Sequence, residues 1–352
     1  MATKAAESKR LLDVEDLQVA FVTEDGVVRA VDGVSFTLDR GEVLAIVGES
    51  GSGKSVSVMT LMGLTRSPNA RFGGAARLGD VDLVGASEKE LEAIRGKQIA
   101  MIFQDPISSL SPVHRIGDQI VEQIRAHEKI SKAAALDRAV DLMERVGIPR
   151  ARDRARAFPH EFSGGMRQRA MIAMALSLSP GVLIADEPTT ALDVTIQAQI
   201  LDEIKQLSQE SDSGVIFVTH DLGVVADIAD RVLVMYSGRV VEQGTLDEVF
   251  YDPQHPYTWG LLGSVTRMDR DPPPRLPAIP GQPPSLAHAP KGCHFRPRCP
   301  YAFDRCSEVP PLEARVPDAP DHEDRCWLDV SDKRDLREVD GRIGLKTGSV
   351  AA

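Results

Sequence analysis

Three short segments carry residue types suited to phosphate chemistry. Gly48-Glu49-Ser50-Gly51-Ser52-Gly53-Lys54-Ser55 fits G-x-x-x-x-G-K-[ST]. In such a loop the glycines let backbone N–H groups turn inward around phosphates. Lys54 neutralises β/γ-phosphate charge, and the Ser55 hydroxyl is offered to Mg2+. Asp186-Glu187 ends an apolar run. The first carboxylate can hold Mg2+, directly or through water, and the second can polarise an attacking water. Two such neighbours repel each other unless a cation lies between substrate and protein. The third segment, Phe162-Ser163-Gly164-Gly165-Met166-Arg167-Gln168, is a second glycine-rich element far along the chain. Its Ser163, Gly164 and Gly165 open a predicted helix, so their N–H groups and hydroxyl form an anion site. A phosphate loop, a Ser-Gly-Gly segment and an Asp-Glu pair in this order point to ATP-binding groups on two separate surfaces, each a half-site.

The elements that must position these groups are legible in outline. Leu17–Phe21 and Val34–Leu38 alternate apolar and polar around the turn signal Glu24-Asp25-Gly26, an antiparallel hairpin pattern. Val43–Val47 is continuously apolar, as a buried strand would be, and feeds the phosphate loop, after which the pattern turns helical. Residues 113–177 read as mostly helical, with Ile116, Ile120 and Ile124 spaced by four. The stretch Met171–Ala185 reads as a helix end, a turn and a buried strand. Strands return at Val182–Ala185, Val215–Thr219 and Val232–Tyr236, separated by helical stretches around Ile196–Ser208 and Leu222–Ala229. This alternation predicts an α/β layered core.

Composition narrows the class. The chain has 352 residues and a net charge of −11, which argues against a nucleic-acid-binding surface. No run reaches the roughly eighteen apolar residues of a membrane span. Met1–Arg10 is polar and lacks a signal-peptide core, so a cytoplasmic protein is expected, one still able to dock on a membrane protein.

Taken together, these motifs resemble those of the ATP-binding-cassette (ABC) ATPases over roughly residues 11–250. The resemblance rests on the loop at 48–55, Gln104 after the strand Ile99–Phe103, the signature Ser163-Gly164-Gly165, the segment Val182–Glu187, the D-loop Ala191-Leu192-Asp193, and His220. It implies a P-loop NTPase cassette: a RecA-like core with an antiparallel β subdomain and a helical subdomain at about 105–177. It also implies roles. Phe21 stands at the place of the aromatic that stacks on adenine. Gln104 would ligate Mg2+ or the attacking water and sense the transporter, and His220 would contact the γ-phosphate. Ser163, Gly164, Gly165 and Asp193 would act in trans, on ATP held by the opposite cassette. Met166 stands where Gln is usual, and Phe162 where Leu is. ATP would therefore clamp two cassettes, and hydrolysis would release them.

The region after Asp252 differs in kind. Sixteen of the 23 prolines lie between Pro253 and Pro320, a density that argues against regular helix or sheet. From His255-Pro256-Tyr257-Thr258 onward the chain resembles the C-terminal extension of oligopeptide and dipeptide importer ATPases. Gln104-Asp105-Pro106, Ser109-Leu110-Ser111-Pro112 and Ile116-Gly117-Asp118-Gln119 are similar to that subfamily too. The expected organisation is a flexible tail at 1–10, the cassette at 11–253, the extension at 254–335 and a tail at 336–352.

All four cysteines fall in the extension, spaced Cys293-x5-Cys299-x6-Cys306-x19-Cys326. Clustered cysteines in a reducing compartment favour a metal site over disulfides. Four thiolates can hold zinc or a [4Fe–4S] cluster, and free thiols or disulfides are further alternatives. The subfamily resemblance implies the iron–sulfur cluster. Lys291, Arg296, Arg298, Arg305 and Arg325 flank the cysteines and are expected to lower their pKa values. His255, His288, His294 and His322 are expected at the surface, and residues 271–290 as an extended linker. Cys299→Ser is expected to lose the metal and leave ATP binding intact, and loss of ATP binding instead would mean that this module supports the core fold.

The resemblance implies an importer energy subunit on the cytoplasmic face of the membrane. Its partners would be a second cassette, often a paralogue, two transmembrane permeases and an extracytoplasmic binding protein. Nickel or sugar import is an alternative, as is a soluble ATP-driven switch with a metal module.

Overall fold

The computed structural model describes residues 9–24, 26–189, 194–264 and 278–340. Asp193 and the loop at 191–193, most of both tails, and residues 271–277 of the expected linker lie outside the described residues.

The predicted hairpin is present. Strands β1 (Arg10–Thr23) and β2 (Gly26–Asp39) pair antiparallel from Leu12↔Leu38 to Thr23↔Gly26. β3 (Val43–Val47) is buried along its length and leads through the phosphate loop into the helix Lys54–Leu61. β4 (Ala70–Leu78) and β5 (Val81–Asp82) complete a four-stranded sheet in the order β2-β1-β4-β5. The strands read from the hydropathy pattern do not include β4, whose Gly73-Gly74 pair sits at a bulge. Gly74 has φ +76°, a Cβ there would lie 2.2 Å from the Asp16 carbonyl, and the pairing with β1 slips between Glu15 and Gln18.

The second sheet has eight strands. β6 (Ile99–Ile102), β7 (Val182–Asp186), β8 (Gly214–Thr219), β3 and β9 (Arg231–Tyr236) run parallel, and β10 (Arg239–Thr245) returns antiparallel against β9. Side chains alternate between its faces. Leu183, Ala185, Val215 and Phe217 pack on one side with Ile116, Ile120, Ile124 and Met171 from the helices Ile116–His127 and Gly164–Ala175. Val182, Ile184, Ile216 and Val218 pack on the other with Leu17, Val19 and Phe36 of the hairpin. Two-sided burial explains why these strands read as unbroken apolar runs. No helix among the described residues is long and apolar enough to cross a membrane.

The proline-rich extension is more regular than its composition suggests. It contains the helix Pro256–Gly263, with proline at its first turn where no N–H is needed, and the helix Val330–Asp340. Two short strands, β11 (Glu313–Ala314) and β12 (Glu323–Asp324), extend the core sheet, β12 pairing with β10 through Glu242↔Asp324 and Gln243↔Glu323. A buried polar network fixes this edge. The Glu242 carboxylate accepts from the His255 N–H at 2.9 Å and from His322 Nε2 at 2.8 Å, while Lys333 Nζ donates to Asp324 Oδ1 at 2.7 Å. His255, His294 and His322 are therefore buried, contrary to the surface placement expected of them, and only His288 of the four is exposed. Each buried ring is committed: His255 Nδ1 caps its helix by accepting from the Tyr257 N–H, and His294 Nδ1 donates to the Ser237 carbonyl.

Candidate functional site

Parallel pairing collects the predicted chemistry at one edge. Ile102 lies beside Ala185, Asp186 beside Val218 and Val47 beside Thr219. The residues that follow these strands therefore emerge side by side, in the crevice at the carboxyl ends where open α/β sheets bind ligands.

The phosphate loop follows β3. Gly48 has φ +151° and Gly53 φ +103°. Cβ atoms there would lie 2.2 Å from the Met235 carbonyl and 2.4 Å from the Ala30 carbonyl, so both positions demand glycine. Lys54 Nζ turns back into the loop, donating to the Gly48 carbonyl at 2.7 Å and the Glu49 carbonyl at 3.1 Å. Burial holds its ammonium below the ordinary pKa, against the raising influence of Glu187, Asp186 and Glu49. The Ser52 hydroxyl is buried without a hydrogen-bond partner, and Ser50 and Gly51 lie at the loop's tip. Ser55 Oγ donates to Asp186 Oδ1 at 3.0 Å. Burial raises the Asp186 pKa, with the Ser55 bond opposing and the Glu187 charge reinforcing the shift.

Glu187 sits in the left-handed region, at φ +47°, with its N–H donating to the Val218 carbonyl at 2.9 Å. A non-glycine residue there costs of order 1–3 kcal/mol, the kind of strain that clusters at functional sites. Its carboxylate accepts from Gln104 Nε2 at 2.9 Å and meets His220 Nδ1 at 3.0 Å. Gln104, Asp186, Glu187, His220, Lys54 and Ser55 thus form one connected constellation.

Ser163 caps the helix Gly164–Ala175, its Oγ accepting from the Met166 N–H at 3.3 Å. Ser163 and Gly164 are exposed, whereas Met166 turns toward the helical core. Ser163 and Gly164 are thus open to solvent, with Gly165 half-buried. Phe21 is half-buried on β1, packed against the hairpin core and paired across to Val28.

Sequence reasoning missed two contacts. Buried Gln168 donates through Nε2 to the Pro188 carbonyl at 2.6 Å, tying the signature helix to the residue after Glu187. Its place five residues after Ser163, on the helix's inward face, was the available signal. The second is Arg298, whose guanidinium forms two hydrogen bonds to the Glu49 carboxylate, at 2.5 and 3.0 Å. The extension thus touches the phosphate loop directly.

The cysteine surroundings also differ from expectation. All four thiols are free and line one largely enclosed cavity with Phe295, Tyr301 and Trp327. Burial pushes Cys299 and Cys326 up to about 12 and raises Cys293 as well, outweighing the lowering influence of backbone N–H groups on all three and of Lys333 on Cys326. The flanking cations do not offset this because several are engaged elsewhere. Arg298 holds Glu49, Arg305 lies 3.8 Å over the Trp327 ring, and Arg325 donates to the Val240 and Pro310 carbonyls. Among the described residues no three His, Cys, Asp or Glu side chains are gathered closely enough to hold a single metal ion.

Comparison with known proteins agrees with this geometry. The ABC transporter family model matches residues 31–190, and the model for the oligopeptide/dipeptide transporter C-terminal region matches residues 241–306. The chain is 55% identical over 320 residues to the oligopeptide transport ATP-binding protein OppD of Bacillus subtilis, covering 91% of this chain and 89% of that one. It is 52% identical to OppD of Salmonella typhimurium, with 90% and 94% covered, and 50% identical to the dipeptide transport ATP-binding protein DppD of Bacillus subtilis, with 91% and 95% covered. Among solved structures, the dimeric bacterial ABC transporter cassette MJ0796 superposes with a TM-score of 0.61 at 25% identity, over 67% of this chain and 98% of that one. CbiO1 of Clostridium perfringens, part of an ABC transporter complex, gives 0.56 at 29% identity, over 69% and 91%.

Proposed function

The chain belongs to the ABC transporter ATPases, within the ATP-binding subunits of the oligopeptide and dipeptide importers, and we propose from that premise how its residues divide the work. It is an ATP-hydrolysing subunit of a peptide importer. The observation that carries the residue assignments is the Glu187 carboxylate, held between Gln104 and His220 beside the Ser55–Asp186 pair.

The loop Gly48–Ser55 wraps the phosphates with its backbone N–H groups, and Lys54 leaves its two loop carbonyls to neutralise them. Ser55, Asp186 and Gln104 are the oxygen donors for Mg2+, which supplies charge stabilisation on the phosphoryl oxygens when bound. The Ser55–Asp186 hydrogen bond supports this, since it already brings a hydroxyl and a carboxylate together. Glu187 accepts the proton of the attacking water, and His220 orients that carboxylate and meets the γ-phosphate. Phe21 stacks on adenine. Ser163, Gly164 and Gly165, with Asp193, complete the site of a second cassette, most simply a paralogue. The exposure of Ser163 and Gly164 at a helix N-terminus supports this, because it leaves their anion site open to a second chain.

Cassette boundaries of 11–253, with the helical part at about 105–177, and an extension at 254–335 accompany this assignment. The working position is the cytoplasmic face of the membrane, against two permeases fed by an extracytoplasmic binding protein. An apolar groove lined by Met62, Phe103, Met171 and Met174 adjoins Gln104, and exposed Ile107 follows close by in the chain. A permease segment seated there would press on Gln104 and hence on Glu187.

Cys293, Cys299, Cys306 and Cys326 hold a [4Fe–4S] cluster. What supports this reading is that the four thiols line one cavity, a donor set of the kind that iron–sulfur clusters use. The four thiolates would hold the cluster, whose positive iron charge would offset the cost of burying them.

The test is ATPase activity in proteoliposomes containing the permeases. Stimulation by peptide-loaded binding protein is expected. Equal rates with and without it would exclude the peptide-importer assignment.

A further inference from the structure

The C-terminal extension grips the phosphate loop at one residue from two directions. The Glu49 N–H donates to Tyr257 Oη at 2.8 Å, and its carboxylate takes both guanidinium nitrogens of Arg298. Neither partner is free to follow the loop. Arg298 is buried and also donates to Tyr236 Oη at 3.3 Å, to the Pro280 carbonyl at 2.9 Å and to the Ile279 carbonyl at 3.3 Å. Tyr257 is fully buried, with its ring 4.6 Å from Tyr236 and 5.4 Å from Phe295. A further strut reaches the loop through the β9–β10 turn. His294 Nδ1 donates to the Ser237 carbonyl at 2.9 Å, and the next residue, Gly238, donates its N–H to the Ser52 carbonyl at 2.8 Å.

A loop that binds phosphates must have its N–H groups set in advance, or binding is weakened by the entropy of ordering them. A carboxylate inside such a loop also repels the incoming phosphates unless it is neutralised and turned away. Arg298 meets both requirements for Glu49.

We propose that Arg298 and Tyr257 are positioning residues of the ATP site, holding Glu49 so that the phosphate loop is preformed and its one carboxylate is neutralised. The extension is then part of the nucleotide site of its own chain. This rests on the reading of Gly48–Ser55 as the ATP site.

The test measures MgATP affinity and steady-state ATPase kinetics on the full-length protein. Arg298→Ala is expected to weaken ATP binding about tenfold, the scale of one charged hydrogen-bonded pair, raising KM with kcat largely kept. Tyr257→Phe, which deletes one hydroxyl, is expected to weaken it by a smaller factor, about threefold. Adding Glu49→Gln to Arg298→Ala should restore much of the affinity, because the stranded carboxylate is gone, a recovery that general destabilisation would not produce. Wild-type affinity in both single variants, or no recovery in the double variant, overturns the proposal. If Arg298→Ala does not fold, Tyr257→Phe decides the matter by its KM. Lys54→Ala is run alongside: wild-type ATP affinity there would mean that the loop itself is misassigned, whereas loss there with no change at Arg298 and Tyr257 would refute only the positioning role.

Discussion

Gln104 Nε2 donates to Glu187 Oε2 at 2.9 Å, joining the segment after β6 to the residue that follows β7. A residue beside the apolar groove is thus in direct contact with the carboxylate assigned to water activation. Movement at the groove has a one-bond path to the chemistry.

Removing the basic oxygen of that carboxylate should isolate the chemical step. Glu187→Gln is expected to bind MgATP normally and to cut turnover by about 10²- to 10⁴-fold, the usual worth of a positioned general base. It should also accumulate a closed, ATP-bound cassette pair on size exclusion. Unchanged steady-state ATPase in that variant would remove Glu187 from its role.

Ser163 should matter twice. Its hydroxyl caps the helix Gly164–Ala175, so Ser163→Ala should cost about 1 kcal/mol in chemical denaturation. Introduced into the Glu187→Gln background it should also reduce ATP-driven association, because the anion site offered to the opposite cassette loses its hydroxyl. Association at the parent level with the stability loss present would confine Ser163 to capping.

Two neighbouring histidines should give opposite pH signatures. Burial, with Lys333 and Arg325 nearby, lowers the His255 pKa to about 3. Its folded value lies below the unfolded one near 6.5, so its contribution is whole above about pH 6.5 and is lost as pH falls toward 3, by a few kcal/mol in total. For His322, burial alone would lower the pKa, but the bond to Glu242 raises it overall. Its contribution is whole below about pH 6.5 and is lost as pH rises through the raised value. Denaturant titrations across pH should therefore show His255→Gln flattening the acid side. His322→Gln should flatten the neutral-to-alkaline side and lower overall stability by about 1–3 kcal/mol, since Glu242 keeps its backbone N–H donors but loses a charge-assisted bond.

The cysteine module predicts colour. Protein purified without oxygen should be brown, with a visible thiolate-to-iron absorption, and Cys299→Ser should lose both the band and the iron. A colourless protein carrying one equivalent of zinc would replace the cluster assignment with a zinc site.

The exposed surface that follows Gln104 in the chain, near the groove, predicts a separable defect. Ile107 is 66% exposed, so Ile107→Asp should change folding stability by no more than about 0.5 kcal/mol. Co-purification with the permeases should fall sharply while basal ATPase persists. Full permease recovery would move the contact elsewhere.

The phosphate loop, the Asp-Glu pair, the Ser-Gly-Gly cap and the buried parallel strands were readable from the sequence because each is local. Their geometry needs particular residue types at fixed spacing along one short stretch, and strands buried on both faces leave unbroken apolar runs such as Val43–Val47. The strand Ala70–Leu78 was not readable, because its place depends on a bulge against β1. The convergence of Gln104, Glu187 and His220 was decided by strand order, which brings together residues 83 and 33 positions apart. The same holds for the extension. Its prolines argued against regular helix or sheet and its cysteines suggested a metal-held segment; pairing of β12 with β10 and the grip of Arg298 on Glu49, 249 residues away in sequence, join it to the nucleotide site. Whether a buried arginine faces a thiol or a distant carboxylate is set by which surfaces pack together, and that information is in the tertiary fold alone.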